Sequence, residues 1–297
     1  MLSITNHSCE NNNKKSTFSI IIPSWNNLPF LQLCVYSIKK NSDFDHQIIV
    51  HVNEGSDGTL LWIKEQNIDY SVSDKNVGIC YALNACRKLV KTDYILYMND
   101  DMYVCPHWDR EIKSEIDSLT SKYFYFSATL IEPIESGNNC VAAPYNFGID
   151  VESFKEKELL ANYTTIEKED WTGASWPPSI VHIDVWDAVG GFSTEFSPGM
   201  YSDPDFSMKL LMLGVRNFKG IGKSKVYHFM SKTTGKVVRN DGRKQFLLKW
   251  GLSANDFYRK VLKSGSTYKQ PLLVDINENI GSYSLVNKLK IITKLFK

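Results

Sequence analysis

Two carboxylates and an amide stand together directly after an apolar run. Residues 94–98 read YILYM, the pattern of a buried strand, and Asn99, Asp100 and Asp101 follow at once. An ionised carboxylate in apolar surroundings is costly unless it is paired, hydrogen-bonded or bound to a metal. Oxygen ligands of this kind suit Mg²⁺ or Mn²⁺, ions that often accompany the phosphates of a substrate. A polar turn that simply ends the strand is the alternative, because Asn and Asp are frequent in turns.

The elements that precede this stretch predict how it is positioned. Apolar strands at 18–24, 47–52, 70–73 and 94–98 alternate with helical patterns at 28–40, 59–65 and about 78–89. This alternation predicts an α/β fold with a mostly parallel, doubly wound sheet flanked by helices. Ligands bind beyond the carboxyl ends of such strands, so the polar tips 24–26, 53–56 and 99–101 are expected to share one crevice.

The second half of the chain adds further candidates. Residues 171–178 read WTGASWPP and carry two large aromatic side chains. Asp203, Pro204 and Gly214 are start and stop signals for a helix over 203–213, and Asp203 is predicted to cap it. Short strands are predicted at 215–219 and 225–229, the second of which presents His228, and helices at 242–250 and 253–263. A buried histidine with a purely structural role is the alternative for His228.

Composition narrows the class of protein. The 297 residues are 43% hydrophobic and carry a formal net charge of +1, so no global field favours nucleic acid as a partner. The six cysteines show no CxxC pair, and buried free thiols in a reducing compartment are expected. No leader sequence and no run of about 20 apolar residues is apparent, which predicts a cytoplasmic protein.

Three segments are expected along the chain: a flexible N-terminus at 1–16, a main domain at 17–231 and a helical C-terminal extension at 232–297. The main domain would divide into two halves, 17–104 and 105–231. Within the extension, residues 284–297 place apolar side chains on one helical face and lysines largely opposite. Such a helix either contacts a membrane surface peripherally or packs on the body of the protein.

Seven motifs in order resemble the inverting family 2 glycosyltransferases, which have the GT-A fold. The similar segments are IIPSWNN, HVNEGSDGT, NVGICYALN, YILYMNDDM, the long DWTGASWPPSIVHIDVWDAVGGFSTEF, YSDPDFSMKLLMLG and VYHFMSKTTGK. Together they span about residues 18–231, and the DWTG segment resembles rhamnosyltransferase-type relatives. The resemblance implies transfer of a sugar from a nucleotide diphosphate to a hydroxyl acceptor. It also implies that 17–104 is the nucleotide-binding half of the main domain and 105–231 the acceptor-binding half.

The resemblance also implies a metal site and a catalytic base. Asp101 and His228 would hold Mn²⁺ or Mg²⁺ on the diphosphate, and Asn99 stands where an Asp is often found. Asp203 matches the general base that accepts the acceptor's proton, with Asp205 as a weaker candidate. Ser202 replaces the Glu that commonly precedes this base.

Further roles concern the two substrates. Glu54 occupies the position whose acidic side chain binds the base in uridine-using relatives, which favours UDP. The residues implied in nucleotide binding are Pro23, Ser24, Trp25, Asn53, Glu54, Asn76, Gly78, Asn99 and Asp100. Those implied in acceptor binding are Trp171, Thr172, Gly173 and Asp205. For Trp25 and Trp171 a structural packing role is the alternative, and Asn84, inside its helix, is expected to be structural.

The predicted activity is therefore metal-dependent, inverting transfer of one sugar to a glycan or lipid-linked acceptor. Processive relatives carry Q-x-x-R-W with membrane spans, whereas residues 245–250 read QFLLKW, which favours a single addition. A catalytically idle GT-A domain that binds a glycan or a partner is the main alternative, kept open by Asn99 and Ser202. A sugar-nucleotide nucleotidyltransferase fits less well, because IIPSWNN lacks a glycine-rich loop.

Overall fold

The computed structural model describes residues 3–9, 15–231, 240–274, 289, 291 and 292. These residues form a ten-stranded mixed sheet with helices on both faces. The strands are β1 (Ile4–His7), β2 (Ser19–Trp25), β3 (Gln47–Asn53), β4 (Asp69–Ser73), β5 (Tyr94–Tyr97), β6 (Met102–Val104), β7 (Phe124–Ile131), β8 (Trp171–Thr172), β9 (Ser179–His182) and β10 (Asn217–His228).

Seven helices lie between these strands along the described chain, and two more follow β10. They are α1 (Leu28–Asn41), α2 (Thr59–Glu65), α3 (Ile79–Cys86), α4 (Trp108–Asp117), α5 (Glu156–Asn162), α6 (Ile183–Val189), α7 (Ser202–Leu213), α8 (Gly242–Trp250) and α9 (Ala254–Asp256), which continues into a π-helical turn (Phe257–Val261). Among the described residues, no helix is long and apolar enough to cross a membrane.

The strand order is β1-β4-β3-β2-β5-β9-β7-β10-β6, and β8 pairs with β10. Strands β4, β3, β2 and β5 run parallel, as the alternation of strands and helices predicts. Strand β9 then inserts antiparallel between β5 and β7, and β10 runs parallel to β7. The predicted α/β, mostly parallel sheet flanked by helices is confirmed.

The central strand β2 shows why the near-continuous apolar strands form the middle of the sheet. Ile20 and Ile22 face one hydrophobic core, with α1, α2 and α4, and Ile21 faces the other, with α3, α6, α7 and the segment after α8. All three isoleucines are fully buried. A strand that is covered on both faces needs apolar side chains on both, so it does not alternate with polar residues.

Two predicted boundaries differ from the structure. The segment 1–16, expected to be flexible, contains β1, which pairs antiparallel with the edge strand β4 and stacks His7 on Tyr70 at 4.6 Å. Backbone pairing to an open sheet edge requires no apolar pattern, so the sequence gives little sign of it. The two short strands predicted at 215–219 and 225–229 are one strand, β10, whose register shifts between Ile221 and Lys225.

Two further predictions concern the cysteines and the C-terminal helix. All six cysteines are free, and all except Cys9 are buried, as expected. The amphipathic helix predicted at 284–297 lies largely outside the described residues. Positions 289, 291 and 292 are helical, and Leu289 and Ile292 are exposed.

Candidate active site

A cavity of about 790 Å³ opens at the carboxyl ends of β2, β3 and β5. The tips of these three strands therefore meet, as the parallel arrangement predicts. The cavity brings together twelve of the residues singled out in the sequence: Pro23, Ser24, Trp25, Asn53, Asn76, Gly78, Asn99, Asp100, Asp101, Trp171, Asp203 and His228. Four others, Glu54, Thr172, Gly173 and Asp205, do not line it.

Asp100 and Asp101 lie just beyond β5 and are buried. Ser24 Oγ donates a hydrogen bond of 2.8 Å to Asp100 Oδ2. Burial and the neighbouring charge of Asp101 nevertheless raise the pKa of Asp100 to about 7. Burial alone would also raise the pKa of Asp101, but His228 and the backbone N–H of Ser231 lower it below its ordinary value.

His228, at the end of β10, lies between two carboxylates. Its Nε2 is 3.5 Å from Asp101 Oδ2, and its Nδ1 is 2.9 Å from Oε1 of the buried Glu132. Although burial opposes the charged ring, these carboxylates raise the pKa of His228 to about 9. A histidine that binds a metal through one nitrogen commonly donates its other N–H to a carboxylate. The Glu132–His228–Asp101 arrangement therefore fits a divalent cation, held by Asp101 and His228 Nε2.

The charged residues around the cavity also favour a bound cation. Its described lining carries four carboxylates, on Asp100, Asp101, Glu132 and Asp203, and neither lysine nor arginine. The charged groups that a diphosphate would meet on this described lining are therefore carboxylates and one histidine. No group of three His, Cys, Asp or Glu residues in the described part of the chain is already arranged to hold a metal ion.

Asp203 enters the cavity from the first turn of α7. The helix begins at Ser202, and its N-cap is Tyr201 at φ 69°, so Asp203 is not the cap that the sequence predicts. Its Oδ1 is buried without a hydrogen-bond partner. Burial raises the pKa of Asp203 to about 7, which suits a group that must take up a proton near neutral pH.

Asp205, two residues further on, points to the other side of α7. It is fully buried, and Oδ1 accepts hydrogen bonds of 2.8 Å from both Trp250 Nε1 and Lys249 Nζ. The QFLLKW segment therefore fastens α8 to α7, and neither Gln245 nor Trp250 lines the cavity. Asp205 has the environment of a structural anchor.

Three of the residues implied in nucleotide binding lie at or just beyond the ends of β2 and β3. Trp25 lines the cavity and donates from Nε1 to Glu54 Oε2 at 2.8 Å, which holds Glu54 at the exposed rim. Asn53 accepts from the N–H of Val77 at 2.9 Å and so ties β3 to the loop before α3.

That loop ends at Gly78, whose backbone lies close to a second loop. Gly78 has φ 79°, and a Cβ there would lie 2.5 Å from Cα of Pro198. Asn76 Oδ1 accepts from its N–H at 2.8 Å. Asn84 acts structurally, as expected, because its side-chain amide bonds both the N–H and the C=O of Phe192.

The acceptor-side residues implied by the sequence are mostly packed in the fold. Trp171 lines the cavity but is only 3% exposed, and it donates from Nε1 to Thr129 Oγ1. Thr172 pairs through its backbone with Ser266, and Gly173 at φ 86° leaves room for Ser264.

Sequence reasoning missed several residues that line the cavity. Glu132 follows the buried strand β7 as Asp100 follows β5, so the same signal of a carboxylate after an apolar run was present. Trp176, Asn255 and Tyr258 also line the wall. Nothing in the local pattern around 255–258 indicates a site, because these residues reach the cavity only through long-range packing.

The fold is that of an α/β protein of the GT-A type. Residues 19–156, a little under half of the chain, match the model of glycosyl transferase family 2. The predicted resemblance to this family and the predicted GT-A fold are confirmed. No curated protein matches the sequence significantly.

Solved structures similar in fold include three glycosyltransferases. TarS of S. aureus, residues 1–349 in complex with UDP-GlcNAc, has a TM-score of 0.51 and 17% identity over 72% of this chain and 61% of that one. GalNAc-T7 with UDP, GalNAc and Mn²⁺ has a TM-score of 0.57 and 13% identity over 93% and 55%. The mannosyltransferase PcManGT of Pyrobaculum calidifontis with GDP-Man and Mn²⁺ has a TM-score of 0.54 and 13% identity over 95% of this chain and 73% of that one. This chain thus spans less than two thirds of the first two.

Proposed function

We propose that the protein transfers one sugar from a nucleotide-diphosphate sugar to a hydroxyl of a glycan or lipid-linked acceptor, with inversion and with a divalent metal ion. The observation that carries this proposal is the cavity that holds Asp101, His228 and Asp203 together at the carboxyl ends of the parallel strands. A family 2 glycosyltransferase domain forms most of its donor half.

Metal dependence is supported by the charge of the site. A diphosphate carries negative charge, and the described lining offers carboxylates but no lysine or arginine. When bound by Asp101 and His228, Mn²⁺ or Mg²⁺ would offset the charge that develops on the leaving diphosphate. Glu132 would orient the His228 ring, and Ser24 would orient Asp100 beside it.

Asp203 is proposed as the general base. The acceptor hydroxyl would lose its proton to Asp203 as its oxygen attacks the anomeric carbon from the side opposite the leaving nucleotide, which inverts the configuration. Its raised pKa keeps the carboxylate basic enough for this role at neutral pH. Only the cavity-facing oxygen is available to the substrate, because Oδ1 is buried.

UDP is the favoured donor nucleotide. Two of the three neighbours described above contain UDP or UDP-GlcNAc, and the Trp25 ring offers a flat apolar face for a base. Glu54 would act through Trp25, since it hydrogen-bonds the indole and does not line the cavity. The motif of processive relatives is absent from 245–250, which supports a single addition.

A catalytically idle GT-A domain that binds a glycan or a partner protein is the second candidate. The observation that favours it is that Asp101, Glu132 and His228 already satisfy one another, with the ring between the two carboxylates. Asn99 also accepts a hydrogen bond of 2.9 Å from Tyr97 OH, which engages its amide oxygen.

Calorimetric titration with UDP, dTDP and GDP, each with and without Mn²⁺, separates the two candidates. A transferase should bind one nucleotide tightly, and only when the metal is present. Asp101→Ala should abolish this metal-dependent binding. Asp184→Ala is the matched control, because Asp184 is 58% exposed and does not line the cavity. NMR of the sugar product would then test inversion. If no nucleotide binds under any condition, the donor site does not exist and the idle domain is favoured.

A further inference from the structure

Part of the cavity wall is formed by residues that lie outside the region of the family match. Trp176 comes from the loop after β8, and Asn255 and Tyr258 come from the segment that follows α8. We propose that these three residues form an acceptor subsite for an uncharged pyranose ring. This inference rests on the proposed function, because it names the acceptor class of the same site.

The two aromatic rings form one surface. The ring centroids of Trp176 and Tyr258 are 4.8 Å apart with planes inclined by 33°. Both side chains are half-buried and line the cavity, whereas Asn255 is exposed. The C–H faces of a pyranose carry partial positive charge and pack on the electron-rich faces of aromatic rings, while an amide pairs with sugar hydroxyls.

A break in helix geometry places Tyr258 there. Helix α9 changes at Phe257 into a π-helical turn that runs to Val261, and Leu262 N–H bonds the C=O of Phe257 at 2.9 Å. Phe257 and Val261 remain in the hydrophobic core, while Tyr258 reaches the cavity. Single π-helical turns are rare and occur frequently at functional sites, where they redirect one side chain.

Hydrogen bonds connect this wall to the helix of the proposed base. Ser175 Oγ lies 3.4 Å from Tyr258 OH and 2.8 Å from Ser207 Oγ. Ser207 follows Asp203 by one turn of α7, so both lie on the same face of that helix. A ring that packs on Trp176 and Tyr258 would therefore present its hydroxyls near Asp203.

The described charges favour a neutral ring over an anionic one. The described lining has no lysine or arginine to pair with a phosphate or a carboxylate on the acceptor, and an ionised Asp203 would repel such a group. Asn138, Cys140 and Val141, which line the same cavity, are also uncharged. The subsite is therefore proposed for a neutral hexose, deoxyhexose or N-acetylhexosamine unit.

Saturation-transfer NMR with simple glycosides tests the subsite. The probes are the methyl glycosides of glucose, galactose, mannose, rhamnose and N-acetylglucosamine, with methyl glucuronide and glucose 6-phosphate as anionic probes, each with and without UDP and Mn²⁺. We expect saturation of ring protons in at least one neutral probe. Tyr258→Ala and Trp176→Ala should weaken its binding about fivefold to tenfold, and Tyr258→Phe should retain it.

Two further variants keep the result interpretable. Asn255→Ala removes an exposed side chain, so its loss of affinity cannot come from unfolding, and Tyr123→Ala, 44% exposed and outside the cavity, should change nothing. Titration of each variant with UDP and Mn²⁺ checks that the donor site is intact.

Three results would overturn the subsite: an anionic probe that binds more tightly than every neutral one, neutral binding that survives both alanine substitutions at the aromatic rings, or no glycoside binding at all. Failure of the wild-type protein to bind any nucleotide would instead refute the proposed donor site. Glycoside binding measured without nucleotide tests the subsite whether or not the donor site exists.

Discussion

Removal of the Asp203 charge should make the protein more stable at alkaline pH while it removes activity. Oδ1 of Asp203 is buried without a partner, and burial raises the pKa of the carboxyl from 3.8 to about 7. A raised carboxyl pKa means that the folded state binds a proton more tightly than the unfolded state does. Stability attributable to this group is therefore greatest below about pH 4 and falls as the pH rises to about 7.

The shift sets the size of the effect. At about 1.36 kcal/mol for each pKa unit, a rise from 3.8 to about 7 corresponds to at most about 4 kcal/mol above pH 7. The Asp203 side chain lines the cavity and is only half-buried, so solvent screening reduces the effect and we expect about 2 kcal/mol. Asp203→Asn mimics the protonated acid. It should raise the free energy of unfolding by about 2 kcal/mol at pH 8 and leave it unchanged at pH 4.

Urea unfolding at both pH values, followed by tryptophan fluorescence, measures this difference. Asp184→Asn, at an exposed ion pair, is the control and should change stability by less than about 1 kcal/mol at either pH. Transfer by the wild type should rise with pH through about 7 as Asp203 ionises, and Asp203→Asn should lower kcat by about 10²- to 10⁴-fold. Equal destabilisation by Asp203→Asn at pH 4 and pH 8 would refute the reasoning, because the carboxylate would then be a structural partner.

Three further substitutions test other parts of the site. Asp205→Ala should cost about 2–3 kcal/mol in urea unfolding, because it leaves the Trp250 and Lys249 donors without their shared acceptor; an unchanged midpoint would contradict this. Glu132→Gln should weaken Mn²⁺ binding about tenfold in a calorimetric titration, because the His228 ring loses its carboxylate partner, and equal Mn²⁺ affinity would remove Glu132 from the site. Gly78→Ala should destabilise the fold by more than about 1 kcal/mol and weaken nucleotide binding, since φ is 79° and its Cβ would meet Pro198; wild-type stability would show that the loop shifts freely.

The donor half of the site was predictable because it depends on local pattern and general topology. Apolar runs that end in Asn53 and Asp100 locate strands, and parallel strands bring their carboxyl ends to one edge. Glu54 shows the limit of this reasoning. It lies at the expected strand end, yet its side chain turns to Trp25 at the rim, and only the folded chain determines that rotamer.

The acceptor half was less predictable because it is assembled from distant segments. Trp171 and Trp176 are equivalent in the sequence as aromatic loop residues, but β8 pairing buries the first and leaves the second on the wall. Tyr258 arrives through a π-helical turn that no periodicity indicates. Asp203 and Asp205 likewise look alike in the sequence. Each has one buried oxygen without a partner, but the packing of α8 gives only Asp205 partners, Trp250 and Lys249, for its other oxygen.

The attachment of α8 to α7 has a consequence for how such a protein can diversify. Asp205, Trp250 and Lys249 fasten the segment 240–274 to the back of the helix whose front carries Asp203. Strands β2, β3 and β5 make none of these contacts. An exchange of 240–274 that keeps the Asp205, Trp250 and Lys249 contacts would therefore replace the Asn255 and Tyr258 part of the wall and leave Asp203 unchanged. Under the proposed function, chimeras made at this junction should differ in acceptor preference and keep the same base.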